Sequence, residues 1–142
     1  MTLEFTVPGQ PQGKGRPRFA RRGNFVSTYT DKATKGYEAM IKECYAENYS
    51  HCHDTTEPIR MTVTAYYHIP SSFSLKKKNE AIKGKLRPLT KPDLDNIGKI
   101  VADSLNGVAY MDDKQIVEMV INKFYGEHPR LEIMIENLTQ GG

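Results

Sequence analysis

Apolar and polar residues alternate with period two over residues 2–7, with Leu3, Phe5 and Val7 on one side and Thr2, Glu4 and Thr6 on the other. That pattern predicts a strand with one buried face. The alternation runs longest over residues 59–69. There Ile59, Met61, Val63, Ala65, Tyr67 and Ile69 oppose Arg60, Thr62, Thr64, Tyr66 and His68, and Pro70 ends the run. This is expected to be a central strand. Residues 115–125 and 131–137 read as two more strands joined by the turn Gly126-Glu127-His128-Pro129, with Leu131, Ile133 and Ile135 facing the core. A short hairpin over residues 19–28 turns near Arg22-Gly23-Asn24.

Elsewhere the period changes to that of a helix. After a cap at Thr30 or Asp31, the residues Tyr37, Met40, Ile41, Cys44 and Tyr45 recur at i, i+3, i+4, i+7 and i+8. Ile97, Ile100, Val101, Ser104 and Leu105 form a second stripe over residues 95–105, which Asn106-Gly107 stops. A short basic helix is expected over residues 74–83, capped by Ser74 and stopped by Gly84, with little apolar face. Together these elements predict one α+β domain spanning residues 1–142. Its sheet is mixed or mainly antiparallel, of about four or five strands, with helices packed on one face.

Composition narrows the class. The chain has 142 residues, of which 38% are hydrophobic and 26% charged, enough for one modest core. No apolar run approaches the ~20 residues that cross a bilayer, and the residues after Met1 lack a signal-peptide layout. A soluble cytoplasmic protein is expected, without a membrane partner. Two cysteines, Cys44 and Cys52, make no disulfide framework. The string His51-Cys52-His53-Asp54 crowds its donors more closely than zinc motifs do, so it is read as a polar loop.

Charge distribution is more informative than the net +3. Lys14, Arg16, Arg18, Arg21 and Arg22 stand within nine residues containing no acid. Lys76, Lys77, Lys78, Lys83, Lys85, Arg87 and Lys91 face only Glu80. These stretches carry +5 and +6, leaving −8 on the remainder of the chain. Such segregation suits a polyanionic partner, although solvated loops account for charge runs too.

The acidic side of that balance gathers around the 95–105 helix. Pro92 disfavours a helical Lys91, so Asp93 and Asp95 are expected in extended chain with their side chains projecting together. Two carboxylates so placed repel, and oxygen ligands favour Mg²⁺ or Mn²⁺ over zinc. Asp95, Lys99 and Asp103 then follow at i, i+4 and i+8 as a polar stripe, with Lys99 within reach of a phosphate oxygen or an attacking water. Asp112 and Asp113 precede the next strand, which must return beside the helix. Each residue singly has a structural account: a cap, a dipole partner, a surface ion pair or a turn. Their coincidence beside the basic stretches points to a phosphodiesterase site.

At these residues the chain resembles the RusA family of Holliday-junction resolvases. The resemblance rests on Lys91-Pro92-Asp93-Leu94-Asp95-Asn96, then Lys99, Asp103, Leu105-Asn106-Gly107, and Asp112-Asp113 with Gln115-Ile116-Val117. It implies a symmetric homodimer that binds four-way DNA junctions and nicks two strands with a divalent metal, usually Mg²⁺. No small-molecule substrate is implied. The family's catalytic carboxylates fall on Asp93, Asp95 and Asp113, its lysine on Lys99, and Asp112 is a neighbour of unassigned role. Asp103 is expected to position Lys99. Lys14, Arg16, Arg18, Arg21, Arg22, Lys76, Lys77 and Lys78 are expected on DNA phosphates. Gly98 departs from a good helix former inside the site helix. Two other readings keep part of this picture: a nuclease for flaps, forks or plain duplex, and a nucleic-acid-binding module without catalysis.

Overall fold

The computed structural model describes residues 2–15, 18–23, 25–29, 31–50, 52 and 57–138. In chain order the elements are β1 (Thr2–Pro8), β2 (Arg18–Arg22), β3 (Phe25–Tyr29), α1 (Lys32–Asn48), β4 (Ile59–His68), α2 (Leu75–Ile82), α3 (Leu94–Leu105), a 3-10 turn (Asp113–Gln115), β5 (Ile116–Gly126) and β6 (Arg130–Asn137). The alternating segments became strands, with Leu3, Phe5 and Val7 on β1, Ile59 through Tyr67 at every second position of β4, and Leu131, Ile133 and Ile135 on β6 buried as expected, while Ile69 lies beyond the end of β4 and is only partly buried. Asp31, rather than Thr30, caps α1, its carboxylate accepting from the Thr34 amide at 2.8 Å. Ser74 caps α2 as expected, accepting from the Lys77 amide at 3.2 Å.

Four strands form one mixed sheet in the order β1-β6-β4-β5, and β2 pairs with β3 in a separate hairpin. β6 runs antiparallel to both β1 and β4, whereas β4 and β5 are parallel. Parallel neighbours need a crossover, and the segment carrying α2 and α3 supplies it. The expected turn does connect β5 to β6, but the two strands are not neighbours. β4 lies between them, so residues 127–129 bridge across its end. Sequence alternation shows which face of a strand is buried but carries no record of its neighbour.

α1 and α3 pack against each other, α1 over β1 and α3 over β5. Phe5 meets Tyr45 edge-on with ring centroids 5.6 Å apart. The Tyr49 hydroxyl accepts from the Glu4 amide at 2.9 Å and donates to the Glu4 carbonyl at 3.1 Å. Ile97, Ile100, Val101 and Leu105 of α3 are fully buried. No described helix is long and apolar enough to cross a membrane.

Gly98 has a packing reason. A Cβ there would lie 2.7 Å from Ile121 Cδ1 and 2.9 Å from Met119 Sδ, so its absence lets α3 settle directly on β5. Gly36, exposed on α1, meets nothing within 4 Å. The two glycines should therefore respond oppositely to added side chain. Gly98→Val is expected to lower stability by about 1–3 kcal/mol through overpacking. Gly36→Ala should raise it by about 0.5–1 kcal/mol by restricting the unfolded chain. Urea unfolding of both variants checks the contrast, which fails if the two shift in the same direction.

Candidate active site

Asp93 is the N-cap residue of α3, with extended backbone and no hydrogen bond from its side chain to the helix. Asp95 lies in the first helical turn. The two carboxylates are thus not a strand-like pair two residues apart, as extended chain through Asp95 would make them; the helix begins one residue earlier, at Leu94. Both are exposed and both face the positive end of the helix dipole. Lys99 is exposed one turn on and makes no ion pair among the described residues.

Backbone contacts fix the chain that leads into Asp93. The Tyr67 hydroxyl donates to the Pro92 carbonyl at 2.6 Å. Lys123 Nζ donates to the Thr90 carbonyl at 2.6 Å, and Arg87 Nε donates to the Lys123 carbonyl at 2.5 Å. Arg87 lies over the Phe124 ring, its Cζ 3.7 Å from the centroid. Burial, with the charge of Asp93 nearby, pushes the Tyr67 phenol well above its ordinary pKa, so it remains a donor. Lys123 was not singled out from the sequence, and Arg87 was read there only as part of a basic stretch suited to phosphates. Tyr67 was legible only as a core position, because its partner lies 25 residues away.

From the other side, the 13–15 segment closes on the head of α3. The Lys14 amide donates to the Asn96 carbonyl at 3.0 Å. A Cβ on Gly13 would stand 2.8 Å from Pro92 Cβ and 2.9 Å from Asn96 Cβ, so only glycine allows this approach. Between the two walls is a hollow of about 610 Å³ lined by Gly13, Lys14, Gly15, Lys91, Pro92, Asp93 and Asn96.

The second acidic group sits farther along α3. The buried Tyr110 hydroxyl donates to the Ala102 carbonyl at 2.5 Å and so holds the following residues against the helix. Gln115 Oε1 accepts from the Met111 and Asp112 amides at 3.0 and 3.2 Å, and its amide nitrogen donates to the Glu57 carbonyl at 3.0 Å. Asp112 caps the 3-10 turn, accepting from the Lys114 amide at 2.9 Å. That bond holds its carboxyl below the usual range. Asp113 is shifted the other way: partial desolvation, then Asp112 and Asp103 beside it, raise its carboxyl. Among the described residues, no three His, Cys, Asp or Glu side chains form a ready-made metal cage. The donor chemistry nonetheless fits a hard divalent cation: all the candidate donors are carboxylates, and burial and crowding already disfavour the charge on Asp113.

The residues expected on DNA are placed unequally. Lys76 and Lys77 are exposed on α2, and Lys78 is partly so. Arg21 is exposed, while for Arg18 and Arg22 only the backbone is described and Arg16 lies outside the described residues. Lys14 is not free. Its ammonium turns inward to Glu38 at 2.9 Å and Asp103 at 3.6 Å, so Asp103 is met by Lys14, where pairing with Lys99 was expected. His51, His53 and Asp54 also lie outside the described residues, and Cys52 approaches Met111 Sδ at 3.9 Å.

Comparison with known proteins identifies the class: the chain belongs to the RusA endodeoxyribonuclease family, whose model matches residues 8–136. Among similar proteins, the uncharacterized protein YqaN of Bacillus subtilis (strain 168) is 41% identical over 139 residues, covering 96% of this chain and 97% of that one. The crossover junction endodeoxyribonuclease rusA of Lactococcus phage r1t is 27% identical over 134 residues, covering 94% and 95%.

The opposed shifts of Asp112 and Asp113 have opposite consequences for stability. A carboxyl raised on folding contributes stability in acid that is lost as pH rises through its folded value; a lowered one contributes stability that is lost as pH falls. In chelator at pH 7, Asp113→Asn should raise the melting temperature. The gain should vanish once the pH falls below the ordinary carboxyl value of 3.8. Asp112→Ala should lower the melting temperature at pH 7 and have little effect in acid. Calorimetry across pH 3–7 checks both, and a destabilised Asp113→Asn at pH 7 is incompatible with the crowding described.

Proposed function

We propose that this protein is a Mg²⁺-dependent, structure-selective DNA endonuclease that resolves four-way junctions by paired symmetric nicks. The observation that carries the reading is the row of exposed Asp95 and Lys99 and half-buried Asp103 on α3, flanked by Asp93 and Asp113, in a chain belonging to an endodeoxyribonuclease family. The name of the phage relative supports the junction as substrate. Asp93, Asp95 and Asp113, with Asp112 adjacent, would hold the metal. Mg²⁺, or Mn²⁺ in its place, would polarise the phosphodiester and acidify the attacking water.

The chain's own groups do the rest. Hydrolysis forms one P–O bond to water and breaks one P–O ester bond, with added negative charge on the phosphoryl oxygens between. Lys99, on the same helix face and without an ion pair among the described residues, would stabilise that charge. The fixed carbonyls of Thr90 and Pro92 hold the Asp93 backbone still, which limits the reorganisation needed at the reacting centre. Lys76, Lys77 and Lys78 on α2, and Arg16, Arg18, Arg21 and Arg22 in and before the β2–β3 hairpin, would meet phosphates and give salt-dependent affinity.

Paired nicks on a symmetric substrate call for a twofold-symmetric enzyme. A homodimer is supported by the β5 edge, where Val117, Met119 and Val120 are exposed and Met111 lies close in sequence.

A mobile synthetic four-way junction with linear duplex as control tests the reading. Symmetric nicks on the junction that require Mg²⁺ are expected. Asp95→Asn should abolish cleavage while retaining binding, and Lys99→Ala should slow it by about 10²–10³-fold. Equal cutting of flaps, forks or duplex would move the substrate assignment to the broader nuclease. Binding without nicking in Mg²⁺ or Mn²⁺ would leave a DNA-binding module.

A further inference from the structure

The charge pattern offers Lys14 to DNA, but the fold has already used it. We infer that Lys14 is a positioning residue of the carboxylate site: its ammonium ties the 13–15 segment to α1 and α3 instead of meeting a phosphate. Its amide is bonded to the Asn96 carbonyl, while its side chain lies between Glu38 of α1 at 2.9 Å and Asp103 of α3 at 3.6 Å. Only about a fifth of the side chain is exposed (19%). Burial alone would lower its pKa, yet Glu38 and Asp103 leave it above the ordinary lysine value.

The flanking residues are built for this placement. Gly13 lies too close to Pro92 and Asn96 for a side chain. Gly15 lies too close to Thr34, whose hydroxyl accepts from the Gly15 amide at 3.3 Å. Lys14 is thus pinned on both sides by backbone, with its head group turned to two acids. It partly offsets the charge of Asp103, and it holds the wall facing Asp93 across the hollow. Losing it should misplace that wall and leave Asp103 uncompensated, without removing a phosphate contact.

The turnover part of this inference rests on the nuclease reading, whereas the placement of the ammonium does not. Limited acetylation of the full chain with mass-spectrometric readout, with and without four-way junction in EDTA, measures that placement. Lys14 should react about tenfold or more slowly than Lys76 and Lys77, in keeping with an ion pair shielded from solvent. DNA should protect Lys76 and Lys77 but leave Lys14 unchanged. Free-protein reactivity equal to that of Lys76, or further protection of Lys14 by DNA, overturns the inference.

Lys14→Met should leave the slope of log affinity against log salt unchanged, where a lost phosphate contact reduces it by about one. At saturating junction its turnover should fall by about 10²-fold, as for a misplaced reacting group, and Lys14→Arg should restore most of it. A reduced slope, or unchanged turnover, overturns the inference. Should Lys14→Met fail to fold, Glu38→Gln serves instead: faster acetylation of Lys14 and slower turnover are expected at an unchanged slope, and the absence of both overturns it. If the wild-type chain cuts no DNA at all, the nuclease reading has failed, and the acetylation and salt slopes still decide Lys14.

Discussion

α3 rests on β5 at Gly98, where only a hydrogen separates the helix backbone from Ile121 and Met119. That approach fixes the rotation of the helix as well as its distance. With Ile97, Ile100, Val101 and Leu105 committed to the core, Asp95 and Lys99 are exposed and Asp103 only partly covered. Turning the helix by one residue would move ionised groups toward the sheet, where an unpaired charge costs several kcal/mol by order of magnitude. The polar face of α3 is therefore the reverse side of the packing.

The acidic side chains are placed through main-chain carbonyls. Tyr67 holds Pro92, Lys123 holds Thr90, and Tyr110 holds Ala102. Such contacts position the backbone beneath Asp93 and beside Asp113 without consuming the carboxylate oxygens. Asp112 does spend one oxygen on the Lys114 amide, and Asp103 turns one to the Lys14 ammonium. The difference distinguishes the neighbouring aspartates more clearly than their order in the chain does.

The strands were legible because burial on one face of a sheet writes period two into the chain, as in Leu3, Phe5 and Val7. The stripe of α3 was legible for the same reason at the helical period. Strand neighbours were not, because β5 and β6 are nearly contiguous in sequence yet stand on opposite sides of β4. Nor was the direction of Lys14. Five cations in a row look alike until Glu38 and Asp103, 24 and 89 residues further along the chain, are folded around one of them. Gly98 read as a weakness for want of its tertiary neighbours.

The pairing of β1 with β6 has a bearing on biosynthesis. Every residue from Thr2 to Pro8 stands opposite a partner in a register running from Glu136 back to Arg130, and β6 also pairs with β4. At about 5–20 residues per second, translation takes roughly 6–26 s to pass from the first of these strands to the last. Throughout that interval the sheet lacks the strand that joins its two halves. The aspartates at 93–113 are thus made before the strand that completes the sheet beneath their helix.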